Sequence, residues 1–487
     1  MGVKIYLVRH AKAQRRLGWE NADGMRPLSP AGHDQALGLV ERFEGVALAR
    51  VISSPALRCR QTAEPIAARF GLGVEIDARI AEGASTSGAL SLVRSLGGET
   101  ALLACHGDLI PALVEKLVPG ALEMEGGAGC PKGSTWLLQD GAGGRARASY
   151  LPPPRAGAAR PDVDARRRIA VVDLGSTSFT LLVADVTADG HIVRVARERE
   201  MLRLGAALAQ ESKLSDELCE RAVDGARRLR RLADRAGAQE LVAVATSAIR
   251  DAKNGRKLAE RITRALGSEV RTLSGEEEAR LIFSAFRRRV GLGDENALGL
   301  DLGGGSLELA VGNASGLRFE TTLRLGVTRL HGELVRSDPL SAAEVRAVRA
   351  RVEDSLDPIA GRIRALGSVR CIAAGGTVRA LARLLLGVPD DAPSADLRGL
   401  LVSAEDFDGL ARRLARSSHA ERLALPGIDE KRADLLPTGA VIMSAVLARL
   451  ALSGLMICDW GLREGVILDA LAARAFEQPH AGVFQAG

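Results

Sequence analysis

Ile169–Ala184 reads IAVVDLGSTSFTLLVA, and Ala297–Gly312 reads ALGLDLGGGSLELAVG. Each stretch runs an apolar strand into Asp-Leu-Gly, turns through small residues to a Ser, and returns as a second apolar strand. Asp173 therefore corresponds to Asp301 and Ser178 to Ser306, 128 positions apart. A repeat of this length predicts two topologically related halves facing one another. Long helical patterns fill the intervals, at Ser215–Ala236, Ala342–Ala365 and Ala433–Leu452, so the region is α/β. Each echo puts a carboxylate at a strand end beside a glycine turn. Without a Cβ, the backbone N–H groups of such a turn can approach phosphate closely.

Upstream, the pattern is interrupted by Leu151-Pro-Pro-Pro154 and an Ala/Arg-rich run, read as a linker over 151–167. Residues 1–150 form a separate α/β unit. Strands are expected at Val3–Val8, Val46–Ser53 and Ala101–Cys105, and helices at Ala56–Phe70 and Leu109–Val118, which suggests a parallel sheet. The second unit spans 168–480, with halves at about 168–296 and 297–480.

A composition of 46% hydrophobic and 26% charged residues excludes a fibrous or wholly disordered chain. Half of the net charge of +6 lies in 151–168, on Arg155, Arg160, Arg166, Arg167 and Arg168. There is thus no broad basic face, and with 3% aromatics no nucleic-acid partner is expected. The six cysteines are scattered, which argues for a reducing compartment. The apolar run near Leu450–Ile457 is too short to span a bilayer, so no membrane association and a cytoplasmic location are expected.

In the first unit, Arg9 and His10 follow a buried strand, Arg58 follows Ser53-Ser54-Pro55 at a strand-to-helix turn, and His106-Gly107 follows another strand. Two imidazoles and two guanidinium groups at strand ends make a cationic pocket in which a neutral His can attack phosphorus. A lone Arg-His pair usually just ends a strand. Here RHA, RPLSPAG (Arg26–Gly32), SSPALRCRQTAE (Ser53–Glu64) and the later His-Gly occur in order. The set resembles the histidine phosphatase superfamily, particularly the SixA-type phosphohistidine phosphatases. The resemblance implies an α/β sandwich with His10 as nucleophile, with Arg9, Arg58, His106 and Arg26 as phosphoryl ligands and with Glu82 as proton donor. It implies no cofactor, and a phosphohistidine protein or a small phosphoester as substrate.

In the second unit, Ala374-Gly375-Gly376-Thr377 adds a third small-residue turn after the strand Val369–Ala373. Three phosphate-sized turns and two carboxylates suit a magnesium-bound polyanion. Ala245-Thr246-Ser247-Ala248-Ile249-Arg250 brings hydroxyls and a guanidinium, and Ser274-Gly-Glu-Glu-Glu278 puts carboxylates at a helix start. Glu276 and Glu277 are explained by the helix dipole. Together these segments resemble the Ppx/GppA family of exopolyphosphatases and guanosine pentaphosphate phosphohydrolases, a branch of the actin/Hsp70-like (ribonuclease H-like) fold. The resemblance runs from Ile169 to about Ala475.

It implies Glu278 as catalytic base and Asp173 and Asp301 as ligands of Mg2+ and organisers of water; Glu308, two residues after Ser306, is placed to assist the base. Ser178, Thr246, Ser247, Arg250, Gly303, Gly304, Gly305, Ser306, Gly375, Gly376 and Thr377 would bind phosphate. Thr177 and Leu307 stand where the family motifs carry Asn and Thr. Each missing hydrogen bond is worth about 1–3 kcal/mol, enough to retune substrate choice.

The expectation is a bifunctional phosphohydrolase acting on polyphosphate by magnesium-assisted water attack, with a phosphohistidine-type phosphatase attached. Longer family members carry a further helical domain. With the chain ending at Gly487, shorter polyphosphates or guanosine pentaphosphate become candidate substrates. The alternatives are a guanosine pentaphosphate phosphohydrolase, or a sensor in which bound polyphosphate or alarmone controls the first unit. A homodimer is the usual expectation for such an enzyme.

Overall fold

A computed structural model describes residues 4–16, 19–127, 130–154, 167–187, 190–368, 370–388 and 397–477. The first sheet comprises β1 (Lys4–Arg9), β2 (Arg50–Ser53), β3 (Val74–Ile76), β4 (Ala101–Cys105), β5 (Thr135–Asp140) and β6 (Ala146–Leu151), ordered β3-β2-β4-β1-β5-β6. Side chains alternate across the sheet. Tyr6 and Val8 pack with Phe43 and Ile66 on one face, while Leu7 packs with Leu103, Ile110 and Trp136 on the other.

The expected parallel sheet holds for four strands and is corrected at one edge. β2, β3, β4 and β1 are parallel, but β5 and β6 run antiparallel to their neighbours. β5 and β6 are joined by the short turn Gly141–Arg145, and a connection of this length cannot make the crossover a parallel pair needs. The strand expected at Val46–Ser53 is also shorter, at Arg50–Ser53. Val46 is drawn into a turn in which its N–H donates to the Phe43 carbonyl, with Gly45 at φ 75°.

The duplicated sequence gives duplicated topology. β7 (Arg167–Leu174), β8 (Ser178–Val186), β9 (Ile192–Met201), β10 (Glu240–Ala245) and β11 (Val270–Thr272) are ordered β11-β10-β7-β8-β9. β12 (Ala297–Leu302), β13 (Leu307–Asn313), β14 (Gly316–Leu323), β15 (Arg370–Ala374), β16 (Leu401–Ser403) and β17 (Gly454–Ile457) are ordered β14-β13-β12-β15-β17-β16. In each half three antiparallel strands are followed by a parallel crossover back beside the first strand. Asp173 pairs in register with Thr180, and Asp301 with Glu308.

The helices Asp216–Arg235 and Ala342–Ala365 match the expectation, each capped by a Ser whose hydroxyl accepts from the first turn. The third is shorter than expected, at Leu436–Arg449. Pro437 occupies its first turn, and a 3-10 turn, Glu430–Arg432, precedes it. Each half has its own core.

Most of the connector, with Arg155, Arg160 and Arg166, lies outside the described residues, as do Val369 and residues 478–480. Among the described residues no helix is long and apolar enough to cross a membrane.

Candidate active sites

The first site lies where β1 and β4 end. His10 and His106 stack edge-on with ring centroids 5.4 Å apart. His10 Nδ1 lies 2.8 Å from the Ala11 carbonyl, an acceptor, so Nδ1 carries the proton and Nε2 keeps its lone pair. Burial, with help from His106 and the nearby arginines, pushes the His10 pKa down to about 3. Burial and Arg58 take His106 to about 4. Both rings are therefore neutral at physiological pH, as a nucleophile requires.

His106 Nε2 is 2.8 Å from Ser54 Oγ, which itself accepts from the Ala56 N–H. Arg9 donates to the Cys130 carbonyl and lies flat against Gly107, where a Cβ would come within 2.5 Å of its guanidinium carbon. That contact explains the Gly after His106.

Arg58 is 1% exposed and is held by the Asp23 carbonyl, the Asp23 carboxylate and Glu82. Among the described residues the Nε–H groups of Arg9 and Arg58 are buried without an acceptor. Arg26 is buried, with its Nε donating to Asp23 Oδ1 and an Nη to the Gln14 carbonyl. Arg26 thus holds Asp23, which in turn steadies Arg58. Glu82 is half exposed and tied to Arg58 at 2.5 Å. Asp23, Ser54 and Lys132 were not singled out in the sequence. Asp23 sits in a short 3-10 turn with no motif, and Lys132 is a lone cation from the loop before β5, electrostatically coupled to Arg9, Arg26 and Arg58.

The second site is an open cleft between the two halves. It gathers Asp173, Asp301, Glu278 and Glu308 with the three small-residue turns, including Ser178, Gly303–Ser306 and Gly375–Thr377, as well as Thr246 and Ser247. Gly375 is at φ 103°, and a Cβ there would lie 2.7 Å from Asp301 Oδ1. A Cβ on Gly376 would strike the Arg432 guanidinium.

Burial raises all four carboxylates, Asp301 to about 6 and Glu308 to about 7. Glu308 is raised further by Asp301, and Glu278 by Glu308. Glu278 opens the helix Gly275–Phe286, whose capping box is formed by Ser274 and Glu277. Arg250 does not line the cleft. Its Nη1 reaches Glu278 Oε2 at 3.3 Å and the Leu273 carbonyl at 2.9 Å, so it holds the carboxylate rather than meeting the cavity.

The structure adds five arginines to the cleft: Arg197, Arg199, Arg379, Arg432 and Arg463. Arg463 is bonded to Asp173 Oδ2 at 3.0 Å, and Arg199 to Asp429 at 3.2 Å. Arg379 is 5% exposed, faces the cleft and has no ion-pair partner among the described residues. Burial pulls its pKa down to about 10. The alternation of Arg197 and Arg199 along one strand put them on one face, but a charged strand face usually points to solvent. Arg379 lies in a largely apolar helix, Gly376–Leu386, that carries a second arginine, Arg383, so nothing in the sequence distinguishes it.

Residues 182–474 match the model of the Ppx/GppA phosphatase family, and residues 5–89 that of the histidine phosphatase superfamily (branch 1). Exopolyphosphatase 1 of Mycobacterium tuberculosis is 32% identical over 309 residues, covering 63% of this chain and 89% of that protein. An uncharacterized protein of Streptomyces coelicolor is 36% identical over 307 residues, covering 62% of this chain and 89% of its own length. The crystal structure of an exopolyphosphatase from Cytophaga hutchinsonii has a TM-score of 0.58 at 27% identity, covering 63% of this chain and 98% of that one.

Proposed function

From its membership of the Ppx/GppA phosphatase family, and from an N-terminal segment that matches the histidine phosphatase superfamily, we propose that this phosphatase has two active sites, the larger of which removes terminal phosphate from inorganic polyphosphate. The observation that carries the reading is the cleft itself, where a buried Glu278 faces three phosphate-sized turns among arginines. In this reading the turn N–H groups and Arg379 hold the phosphate chain. Glu278, steadied by Arg250, takes a proton from water as its oxygen bonds to the terminal phosphorus. The phosphoanhydride P–O bond then breaks, releasing orthophosphate and a chain one unit shorter.

Among the described residues no group of three metal-ligating side chains is preassembled. Mg2+ suits such a site, since it binds through one or two carboxylates and completes its shell with water and phosphate oxygens. Asp301 would hold it, with the Asp173 oxygen not bound to Arg463. The ion would neutralise charge on the phosphate.

At the N-terminal site, His10 Nε2 would bond to phosphorus as the bond to the leaving group breaks, the leaving atom taking a proton from Glu82. Water would then cleave the N–P bond to release orthophosphate, with Arg9, Arg58 and His106 holding the oxygens. This part of the reading covers phosphohistidine or a small phosphoester. The cytoplasm is the proposed location.

The test is phosphate release from polyphosphates of several lengths and from guanosine pentaphosphate, with and without Mg2+. Glu278→Gln is expected to abolish it and His10→Ala to leave it. No release from any of these substrates would overturn the reading.

A further inference from the structure

The two halves touch at their phosphate turns. A Cβ on Gly304 would lie 2.1 Å from Thr177 Oγ1, and one on Gly305 1.8 Å from Ser247 Oγ, so the turn of the second half is seated between residues of the first. Thr177, at the family's Asn position, spends its hydroxyl on Thr328 across the cleft at 2.6 Å. Next to Thr328, Arg329 is 5% exposed. Its Nε donates to the Gly305 carbonyl at 2.9 Å, and its Nη2 to Asp251 Oδ2 of the opposite half at 2.6 Å. Asp251 follows Arg250, with an oxygen 3.7 Å from the Arg250 guanidinium, and Arg250 reaches Glu278. A continuous polar chain therefore runs from the phosphate turn of one half to the base of the other.

Resting on the phosphohydrolase reading, we propose that Arg329 is a positioning residue: through Asp251 it clasps the two halves and holds the Gly303–Ser306 turn and Glu278 in register. Arg329 touches no part of the cleft cavity itself. Its bidentate fork is what spans a carbonyl and a carboxylate together, which a lysine ammonium on one stem cannot do. A base held out of register with the bound phosphate slows the chemical step more than it weakens substrate capture, so a broken clasp costs turnover first.

The experiment uses the full chain with Arg329→Met, Arg329→Lys, Asp251→Asn and the double variant Arg329→Met/Asp251→Asn. Arg324→Met serves as a control, since that exposed side chain lies 3.8 Å from the same carboxylate. Each single loss is expected to lower kcat about tenfold or more with KM changed less than about threefold, the double variant to be no worse than a single one, and Arg329→Lys to be intermediate.

Amide exchange is read in parallel. Residues 246–251 and 303–306 should lose protection together in Arg329→Met and in Asp251→Asn, and keep it in Arg324→Met. Additive losses, a change in KM alone, or deprotection of only one segment would overturn the clasp. If the unaltered chain releases no phosphate, the hydrolase reading fails, and the exchange data decide the clasp by themselves.

Discussion

Ser149 of β6 and Leu400, just before β16, face each other in an antiparallel bridge, and the next residue, Tyr150, donates its N–H to the Gly399 carbonyl at 2.8 Å. Both strands are edges of their own sheets, so the N-terminal unit closes the open side of the second half. Around the bridge, Arg147 and Arg145 converge on Asp406, and Arg370 of β15 reaches the buried Glu125. The chain is thus joined through packed edges as well as through its connector.

Asp406→Ala should test that joint. The substitution leaves Arg147 buried without its partner and removes the carboxylate that completes the capping box of the helix Ala404–Arg416. Breaking a buried pair costs about 3–5 kcal/mol. Denaturant titration is expected to show a lower midpoint for both units together. A shift confined to one unit would mean that they unfold independently.

Much of this was legible in the sequence. The Asp-Leu-Gly echoes gave the two halves, because an Asp at a strand end followed by glycines leaves few alternatives once it is repeated. His10, Arg58 and His106 converge as expected, since each follows a strand end of one sheet. β5 and β6 are not legible because Trp136–Leu138 is a short apolar run and Ala148–Tyr150 is broken by Ser149, and periodicity alone assigns neither. The pairing of Arg250 with Glu278 and of Arg26 with Asp23 was equally out of reach, because the side chain an arginine binds is set by packing between segments far apart in sequence.

The raised carboxylates of the cleft predict a pH effect on stability. Asp301 and Glu308 bind protons more tightly folded than unfolded, with pKa values of about 6 and about 7. Their protonation therefore supports the fold below the ordinary carboxylate range, and this support is lost as pH rises through 6 to 7. Without divalent cation, the melting temperature should fall between pH 6.5 and 8, where the Glu308 contribution is lost and the buried histidines no longer oppose it. Added Mg2+ should restore part of it at pH 8, and Glu308→Gln should flatten the fall. A cation-free melting temperature that rises over this interval in the parent and in Glu308→Gln alike would contradict the assignment.

The histidines predict the opposite slope for the first unit. His10 and His106 are depressed to about 3 and about 4 from about 6.5, so the unfolded chain binds protons first as pH falls. The stability they contribute is present above pH 6.5 and lost progressively toward pH 4. Hydrolysis of a small phosphoester at this site should nevertheless persist at pH 5 while the fold survives, because His10 stays neutral. A rate that falls with an apparent pKa near 6.5, without unfolding by circular dichroism, would show that the nucleophile is not buried in this way.

Arg379 tests how the cleft grips its substrate. It is buried, faces the cavity and makes no ion pair among the described residues, with Glu464 and Asp301 acting on it only at longer range, so an anion in the cleft is a favourable partner. A hydrogen bond from a charged group contributes about 1.5–3 kcal/mol, or about 10–100-fold in kcat/KM. Arg379→Met should lower kcat/KM by that factor on tripolyphosphate and longer chains, and by less on pyrophosphate, whose shorter chain fills fewer of the turns. The same variant should be more thermally stable in the absence of ligand, since an uncompensated buried charge has been replaced by an apolar side chain of similar length. Loss of stability together with an unchanged dependence on chain length would identify Arg379 as a packing residue.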